Sequence, residues 1–350
     1  MKKKKVMHVL CMGGYSGAEN VTITLINCLK SNFESVYVSP EGDIQEILKE
    51  NKIEHYAVNS ITVKSIKNAM KAIKPDIIHA HDFRAGVVCA IASSKVPVVN
   101  HLHNNATWIK KYCAKSLIYG AVAWRFERIL TVSESVMDEY ILGNYLKKKT
   151  FVIGNPIDLR SVQDKVNCAV LKEKSDIMFL GRLEEPKNPL LFIDIINEVT
   201  KIIPNVKVVM VGDGNLRDKV LRRIKELKLE NHITLYGFQK NPYGLLDSTK
   251  ILCMPSKWEG FGLAAVEGLF LGKTIVASPV GGLKKIINSE CGFLCETINM
   301  YVKSIVTLLS NEELYMKKCE FAKKRAYDFD NIEDYKDKIC EIYGSLGRLV

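Results

Sequence analysis

Short runs of apolar and β-branched residues recur along the chain, separated by longer amphipathic stretches. In the first half the runs are VMHVLCM from Val6, SVYVS from Ser35, EHYAV from Glu54, DIIHA from Asp76, VPVVNHL from Val96, ILTVS from Ile129 and FVIGNPID from Phe151. Alternation of this kind is the signature of a parallel sheet covered by helices. The rhythm breaks in the polar stretch RSVQDKVNCAVLKEKSD, 160–176. It restarts with IMFLGRL from Ile177, VKVVMVGDG from Val206, ITLYGF from Ile233, ILCMPS from Ile251, TIVASPV from Thr274 and GFLC from Gly292. The chain therefore reads as two doubly wound α/β domains, 1–158 and 159–328, with a linker near 155–175. A final segment, 329–350, reads as a helix that places Ile332, Tyr335, Ile339, Ile342 and Tyr343 on roughly one face and needs a surface to cover them.

In open parallel sheets ligands sit beyond the carboxyl ends of the strands, so two such domains facing each other across a cleft would put the chemistry in the strand-to-helix loops. The first of these, MGGYSGAEN, opens a helix. Against a dinucleotide fingerprint Gly14 and Gly17 fit, but Met12 replaces the first glycine and Glu41 is only a loose match for the acidic residue, so the NAD match is weak. The loop still suits an anion, through close backbone approach and free N–H groups; a turn kept only for packing is the other reading. His79 and His81, like His101 and His103, stand two apart at strand ends and share a face. Without a third ligand identifiable from sequence, a hydrogen-bonding or structural role is favoured over metal binding.

Two further patterns are decoys. EGLFLGKT, 267–274, nearly spells a phosphate-binding loop, yet its Gly-Lys-Thr follows a helical run and precedes a strand, the reverse of the required order. The DFD at 328–330 resembles a metal-holding aspartate pair but fits a solvated helix start just before the last helix better.

The second half carries more. GRLEEPKNP places Arg182 and Lys187 in the loop after a strand, where two cations can neutralise a diphosphate. After ILCMPS, the turn KWEGFG leads into a helix starting near Gly262, with Glu259 just before it and Glu267 one to two turns in. A ligand with a diphosphate flanked by hydroxyl-rich groups satisfies every part: sugar to Glu259, phosphate to the helix start and ribose to Glu267. Such a ligand is a nucleotide sugar.

Composition narrows the class. With 350 residues, 47% hydrophobic and 25% charged, the chain is of ordinary globular make-up and long enough for two cores. A net charge of +11 suits an anionic partner. The lysine-rich start followed by VMHVLCM reads as a first strand and not as a secretory leader, and no apolar run approaches the ~20 residues that cross a bilayer. Ten scattered cysteines without a CxxC pair fit small core positions, such as Cys11 and Cys253, in a reducing cytoplasm. The segment TWIKKYCAKSLIYGAVAWRFERI mixes Trp108, Tyr112, Trp124 and Phe126 with Lys110, Lys111, Lys115, Arg125 and Arg128, which suits either an anionic membrane surface or an ordinary amphipathic helix.

In order along nearly the whole chain, GGYSGAEN, DIIHAHDFRAG, HLHN, TVSES, VIGNPID, GRLEEPKN, VGDGNLRDKV, YGF, EGFGLAAVE and VGGLKKII resemble the retaining glycosyltransferases of GT-B fold, group 1 or family four, with Glu259 and Glu267 as the E-x7-E pair. The resemblance implies two Rossmann-like domains, the first binding acceptor and the second the nucleotide sugar, with the last helix crossing back to the first. Arg182 and Lys187 would stabilise the departing nucleoside diphosphate. Glu259, with backbone N–H groups around Phe261, Gly262 and Leu263, would hold donor sugar and phosphate, and Glu267 the ribose. Gly237 and Phe238 would border the base, Gly17 would approach the donor phosphates, and His103, with His101 as the competing choice, would meet the donor sugar. The implied reaction is metal- and cofactor-independent transfer from a nucleoside-diphosphate sugar, foremost a UDP-sugar, to an acceptor hydroxyl. The expected acceptor is a lipid-linked saccharide of bacterial surface-polysaccharide assembly, met in the cytoplasm or at the inner face of the cell membrane. A nucleotide-sugar epimerase on the same fold and a non-catalytic nucleotide-sugar-binding protein are the alternatives; a nucleic-acid partner lacks any motif.

Overall fold

The computed structural model describes residues 3–104, 106–169 and 174–346. It divides into two compact units, one running to Pro156 and resuming at Asn331, the other spanning Ile157–Asp330. Each is built on an open sheet whose described strand pairings are all parallel.

In the first unit the strands are β1 (Lys4–Val9), β2 (Phe33–Ser39), β3 (Glu54–Ala57), β4 (Ile77–His81), β5 (Val98–Leu102), β6 (Arg128–Thr131) and β7 (Thr150–Val152). They lie in the order β3-β2-β1-β4-β5-β6-β7, so the direction of winding reverses between β1 and β4. β4 and β5 are buried at every position, so the polar side chains they carry, His79, His81, Asn100 and His101, lie inside the fold. The second unit holds β8 (Ser175–Leu180), β9 (Val208–Val211), β10 (Ile233–Gly237), β11 (Thr249–Met254), β12 (Thr274–Ala277) and β13 (Gly292–Leu294). Their order is β10-β9-β8-β11-β12-β13, and the reversal falls between β8 and β11. In such sheets the loops that diverge at the reversal leave a crevice at the carboxyl ends of the strands.

The last helix, Ile332–Ser345, belongs to the first unit. Its Tyr335, Ile339, Ile342 and Tyr343 are buried with Val6 of β1, Ile77 of β4, Val99 of β5, Leu130 of β6, and Leu25 and Leu29 of the helix Gly17–Leu29. Lys4 Nζ donates to the carbonyl oxygens of Tyr343 and Leu346 at 3.2 and 2.7 Å, a cation at the negative end of that helix.

Two local expectations need correction. The polar stretch near 155–175 is mostly not linker: Leu159–Asn167 is helical, Asp158 Oδ1 accepts from Ser161 N at 3.1 Å as its cap, and Leu159 and Val162 are buried in the core of the second unit. Leu159 and Val162, with Val166 partly buried against the same core, are few apolar anchors on a polar helix and leave little trace in composition; residues 170–173 of that stretch lie outside the described residues. Asp328 is not at a helix start either. It closes the helix Glu312–Tyr327, 2.8 Å from Arg325 Nη1, and the last helix begins after Asn331.

Candidate functional site

The reversal in the second unit is flanked by the loops that follow β8 and β11, and the charged residues singled out in the sequence lie there. After β8, Gly181-Arg182-Leu183 runs into one 3₁₀ turn, Glu185–Lys187. Asn188, in the left-handed conformation at φ 53°, then starts the helix Pro189–Thr200. The loop is packed against the one after β9: a Cβ on Gly212, at φ 138°, would fall 1.9 Å from the Gly181 carbonyl oxygen. After β11, Glu259 enters a turn that ends at Gly262, φ 105°, which opens the helix Leu263–Phe270. Phe261, Gly262 and Leu263 therefore sit at that helix start, where N–H groups lack intrahelical partners.

Lys187 and Glu259 form an ion pair, with only 24% and 12% of their side chains exposed. Lys257 N donates to the Pro186 carbonyl at 2.9 Å and Lys257 Nζ pairs with Glu185 at 2.5 Å, so the two loops are held together along their length. Arg182 is half-exposed and pairs with Glu184 at 3.0 Å, not with Glu259. Gly281 and Gly282 form the floor of the Glu259 turn: a Cβ on Gly281, at φ 48°, would lie 1.7 Å from the Glu259 carbonyl oxygen, and one on Gly282 2.0 Å from that of Phe261. The sequence signal for this role is the glycine pair of VGGLKKII in the loop that follows β12.

Glu267 accepts a hydrogen bond from the Tyr243 hydroxyl at 3.0 Å. Burial raises its carboxyl above the usual range, opposed by the Lys165 charge and by that hydrogen bond. Lys165 also stands over the Tyr243 ring, 5.3 Å from its centroid. Tyr243 and Lys165 were both missed, and nothing in their local sequence marks them. Gly237 ends β10 at φ 68°, its carbonyl accepting from Gly212 N at 2.8 Å, and Phe238 beside it is exposed. Lys273 of the false phosphate loop bonds the Asp247 carbonyl at 2.5 Å, in helix-turn-strand order.

In the first unit, Gly17 begins the helix Gly17–Leu29 with open space where a Cβ would be, as does Gly14. The glycine that packing demands is Gly13, whose Cβ would lie 2.0 Å from the Glu41 carbonyl oxygen. His79 and His81 of β4, His101 of β5 and His103 just beyond it stack on one face of the sheet, joined by His8 of β1, the register partner of His79. All five are held neutral, chiefly by burial; His8 and His103 are pushed down to about 3. His101 is fully buried, whereas His103 is partly exposed.

Two groups of these rings, His8 with His79 and His81, and His81 with His101 and His103, bring nitrogens within 4.8 Å of one another. Ring orientation speaks against a shared ion. His79 and His81 lie face to face at 4.4 Å and 9°, and lone pairs in parallel stacked planes do not converge. His81 and His103 approach to 2.8 Å between nitrogens, a hydrogen-bond length and shorter than the ~3.3 Å edge of a tetrahedral site with Zn–N of about 2.0–2.1 Å.

The basic, aromatic segment divides. Phe126 is core and Trp108 packs edge-on against Phe83 at 4.8 Å. Tyr112 and Trp124 are 77% and 70% exposed, flanking the helix Ala114–Ala123 with its exposed Leu117 and Ile118. No helix among the described residues is long and apolar enough to cross a membrane.

Two open parallel sheets of this order, each followed by a helix-covered set of carboxyl-end loops, define an α/β protein of the GT-B class. The chain belongs to the glycosyltransferases: the family model described as "Glycosyltransferase Family 4" matches residues 15–161 and that described as "Glycosyl transferases group 1" matches 164–326. It is 25% identical over 383 aligned positions, 97% of each chain, to the UDP-Gal:alpha-D-GlcNAc-diphosphoundecaprenol alpha-1,3-galactosyltransferase of Escherichia coli. It is 27% identical over 253 residues, 71% of this chain and 67% of the other, to the N-acetylgalactosamine-N,N'-diacetylbacillosaminyl-diphospho-undecaprenol 4-alpha-N-acetylgalactosaminyltransferase of Campylobacter jejuni. Among solved structures, Anabaena HepE in complex with UDP and glucose superposes with a TM-score of 0.85 at 20% identity, covering 98% of this chain and all of that one.

Proposed function

We propose that this glycosyltransferase moves a sugar from a UDP-sugar to a hydroxyl of a lipid-linked saccharide, with retention of anomeric configuration and without a metal ion. The observation that carries the reading is the Lys187–Glu259 pair at the strand reversal of the second unit, beside a helix start reached through a left-handed glycine. Leaving-group charge is the main quantity to stabilise in such a reaction, and a fixed cation and free N–H groups do so without reorganisation. Lys187 and Arg182 are assigned to the diphosphate, Glu259 and the N–H groups of Phe261, Gly262 and Leu263 to sugar and phosphate, and Glu267 to the ribose. Gly237 and Phe238 are assigned to the base. In the first unit, Gly17 is assigned to donor phosphates and the partly exposed His103, in preference to fully buried His101, to the donor sugar. The undecaprenol-linked acceptors named for the Escherichia coli and Campylobacter relatives, and the UDP and glucose of the Anabaena crystal, support the choice of acceptor and donor classes.

A thermal-shift panel of nucleotide sugars with and without EDTA tests donor and metal together: one UDP-sugar is expected to stabilise the chain equally in both. Release of UDP that requires an undecaprenyl-diphosphate saccharide separates transfer from epimerisation. Stabilisation only with divalent metal, or UDP-sugar turnover independent of acceptor, overturns the reading.

We further propose docking on an anionic bilayer, where such acceptors reside, through Tyr112, Trp124, Lys110, Lys111, Lys115 and Arg125. The exposed aromatics among cations support it. Flotation with phosphatidylglycerol vesicles is expected to carry the chain, and Trp124→Ser with Tyr112→Ser to reduce it several-fold; equal flotation with neutral vesicles counts against it.

A further inference from the structure

Three of the five stacked histidines are linked edge to edge. His8 Nδ1 lies 3.3 Å from His81 Nε2, and His81 Nδ1 lies 2.8 Å from His103 Nε2, with ring planes inclined by only 25° and 17°. A neutral imidazole donates through one nitrogen and accepts through the other. One proton placed on any ring therefore fixes the whole chain, provided the rings are neutral, and burial keeps them so.

Thr22, on the helix Gly17–Leu29, supplies that placement. Its hydroxyl donates to the Ala18 carbonyl at 2.8 Å, the back-bond that threonine makes within helices. The same oxygen lies 3.2 Å from His81 Nδ1. With its only proton directed to Ala18, Thr22 Oγ1 can do nothing but accept from His81, so Nδ1 of His81 carries the hydrogen. That hydrogen is shared with the closer His103 Nε2, and His81 Nε2 is left to accept from His8 Nδ1–H. His79, stacked on His81 and bonded through Nδ1 to the Tyr343 hydroxyl at 2.5 Å, fixes the plane of the central ring.

We infer that Thr22 and His81 set the tautomer of His103, so that its Nε2 accepts from His81 and its Nδ1 bears the proton. His103 Nδ1 is itself shielded from solvent and has no hydrogen-bond partner among the described residues, so its proton stays unsatisfied until a ligand oxygen comes within reach. It is thus the donor that the chain leaves over for an oxygen of a bound ligand. Resting on the assignment of His103 to the donor sugar, this makes Thr22 and His81 positioning residues. It also gives His103 a defined part: it donates to a sugar or phosphate oxygen and does not act as a base, since its one lone pair is engaged by His81. A donor held in place toward an oxygen that gains charge is effective because nothing must reorganise.

Long-range ¹H–¹⁵N NMR on ¹⁵N-histidine-labelled protein at pH 7.5 reads ring protonation directly, and His103→Gln identifies the His103 signals. A protonated Nδ1 and bare Nε2 on His103 are expected; the opposite tautomer, or an even mixture, overturns the inference. Thr22→Ser, which keeps the hydroxyl, should preserve that pattern, and Thr22→Val should mix the tautomers. An unchanged tautomer in a Thr22→Val protein whose other histidine signals are native removes Thr22 from the account. Sugar transfer supplies the second readout: Thr22→Val should lower kcat several-fold at little change in KM, with rescue by Thr22→Ser. If the tautomer shifts and kcat does not, the tautomer assignment stands and it is the placing of His103 at the donor sugar that fails.

Discussion

The Lys187 ammonium rests on the Glu259 carboxylate, so the loop after β8 and the loop after β11 are joined at the point where the second sheet reverses its winding. Each partner holds the other in position while both remain partly exposed. Lys187→Ala removes the cation and frees Glu259 to turn away. Expected is a loss of kcat of about 10²–10³, the usual effect of deleting one preorganised charge-stabilising group, with the melting temperature little changed. Steady-state turnover of the donor found by thermal shift checks it, and near-normal kcat contradicts the role given to the pair.

Gly281 is the residue against which the Glu259 turn is laid. It has φ 48° and no room for a Cβ, which would overlap the Glu259 carbonyl oxygen. Gly281→Ala must move that turn, and with it the pair to Lys187. A donor KM raised at least tenfold is expected in a protein that still unfolds cooperatively; an unaltered KM shows that the turn does not touch the donor.

Glu267 binds its proton more tightly in the folded chain than an exposed glutamate does, because burial penalises its charge more than Lys165 and Tyr243 favour it. An acid whose folded pKa is raised contributes stability below its unfolded value, near 4.3, and loses that contribution as pH rises through the folded value. At pH 7.5 the carboxylate is therefore a cost, and Gln can still accept from Tyr243. Glu267→Gln should raise Tm at pH 7.5, where about 1 kcal/mol corresponds to roughly 2–4 °C for a domain of this size, and the gain should narrow as pH falls. Donor KM should rise at the same time, a trade of function for stability. Melting curves of both proteins at several pH values decide it: a Glu267→Gln protein less stable at pH 7.5 sinks the argument.

Much of this arrangement was readable in advance, for identifiable reasons. Strands buried on both faces, such as Val208–Val211, announce themselves as unbroken apolar runs, and loops at their carboxyl ends are where ligands bind. Arg182, Lys187, Glu259 and Glu267 could thus be picked by position alone. What stayed hidden were relations between distant segments. Tyr243 meets Glu267 across 24 residues and Thr22 meets His81 across 59. The pairing of Arg182 with Glu184 instead of Glu259 is decided by loop geometry that no spacing encodes. The helix at Leu159–Asn167 resembles linker in composition because only Leu159, Val162 and the partly buried Val166 distinguish it from solvated chain.

Five neutral imidazoles beneath one sheet make the first unit sensitive to acid. Burial lowers each of them below the ordinary value of 6.5, so on acidification the unfolded chain takes up protons that the folded one refuses. Their contribution to stability is therefore present above about pH 6.5 and is lost as pH falls from there toward the depressed folded values, near 3 for His8 and His103. Each such group adds a slope of up to about 1.4 kcal/mol per pH unit. His101 isolates one of them, being fully buried with both ring nitrogens lacking a partner among the described residues. His101→Leu replaces it with an apolar side chain at a site where no described hydrogen bond is lost. Denaturant unfolding between pH 7.5 and 5 should show stability falling more gently in the variant, by about one proton, with the two proteins similar at pH 7.5. Parallel pH dependences would mean that His101 takes up its proton in the folded chain as readily as in the unfolded one, contrary to its burial.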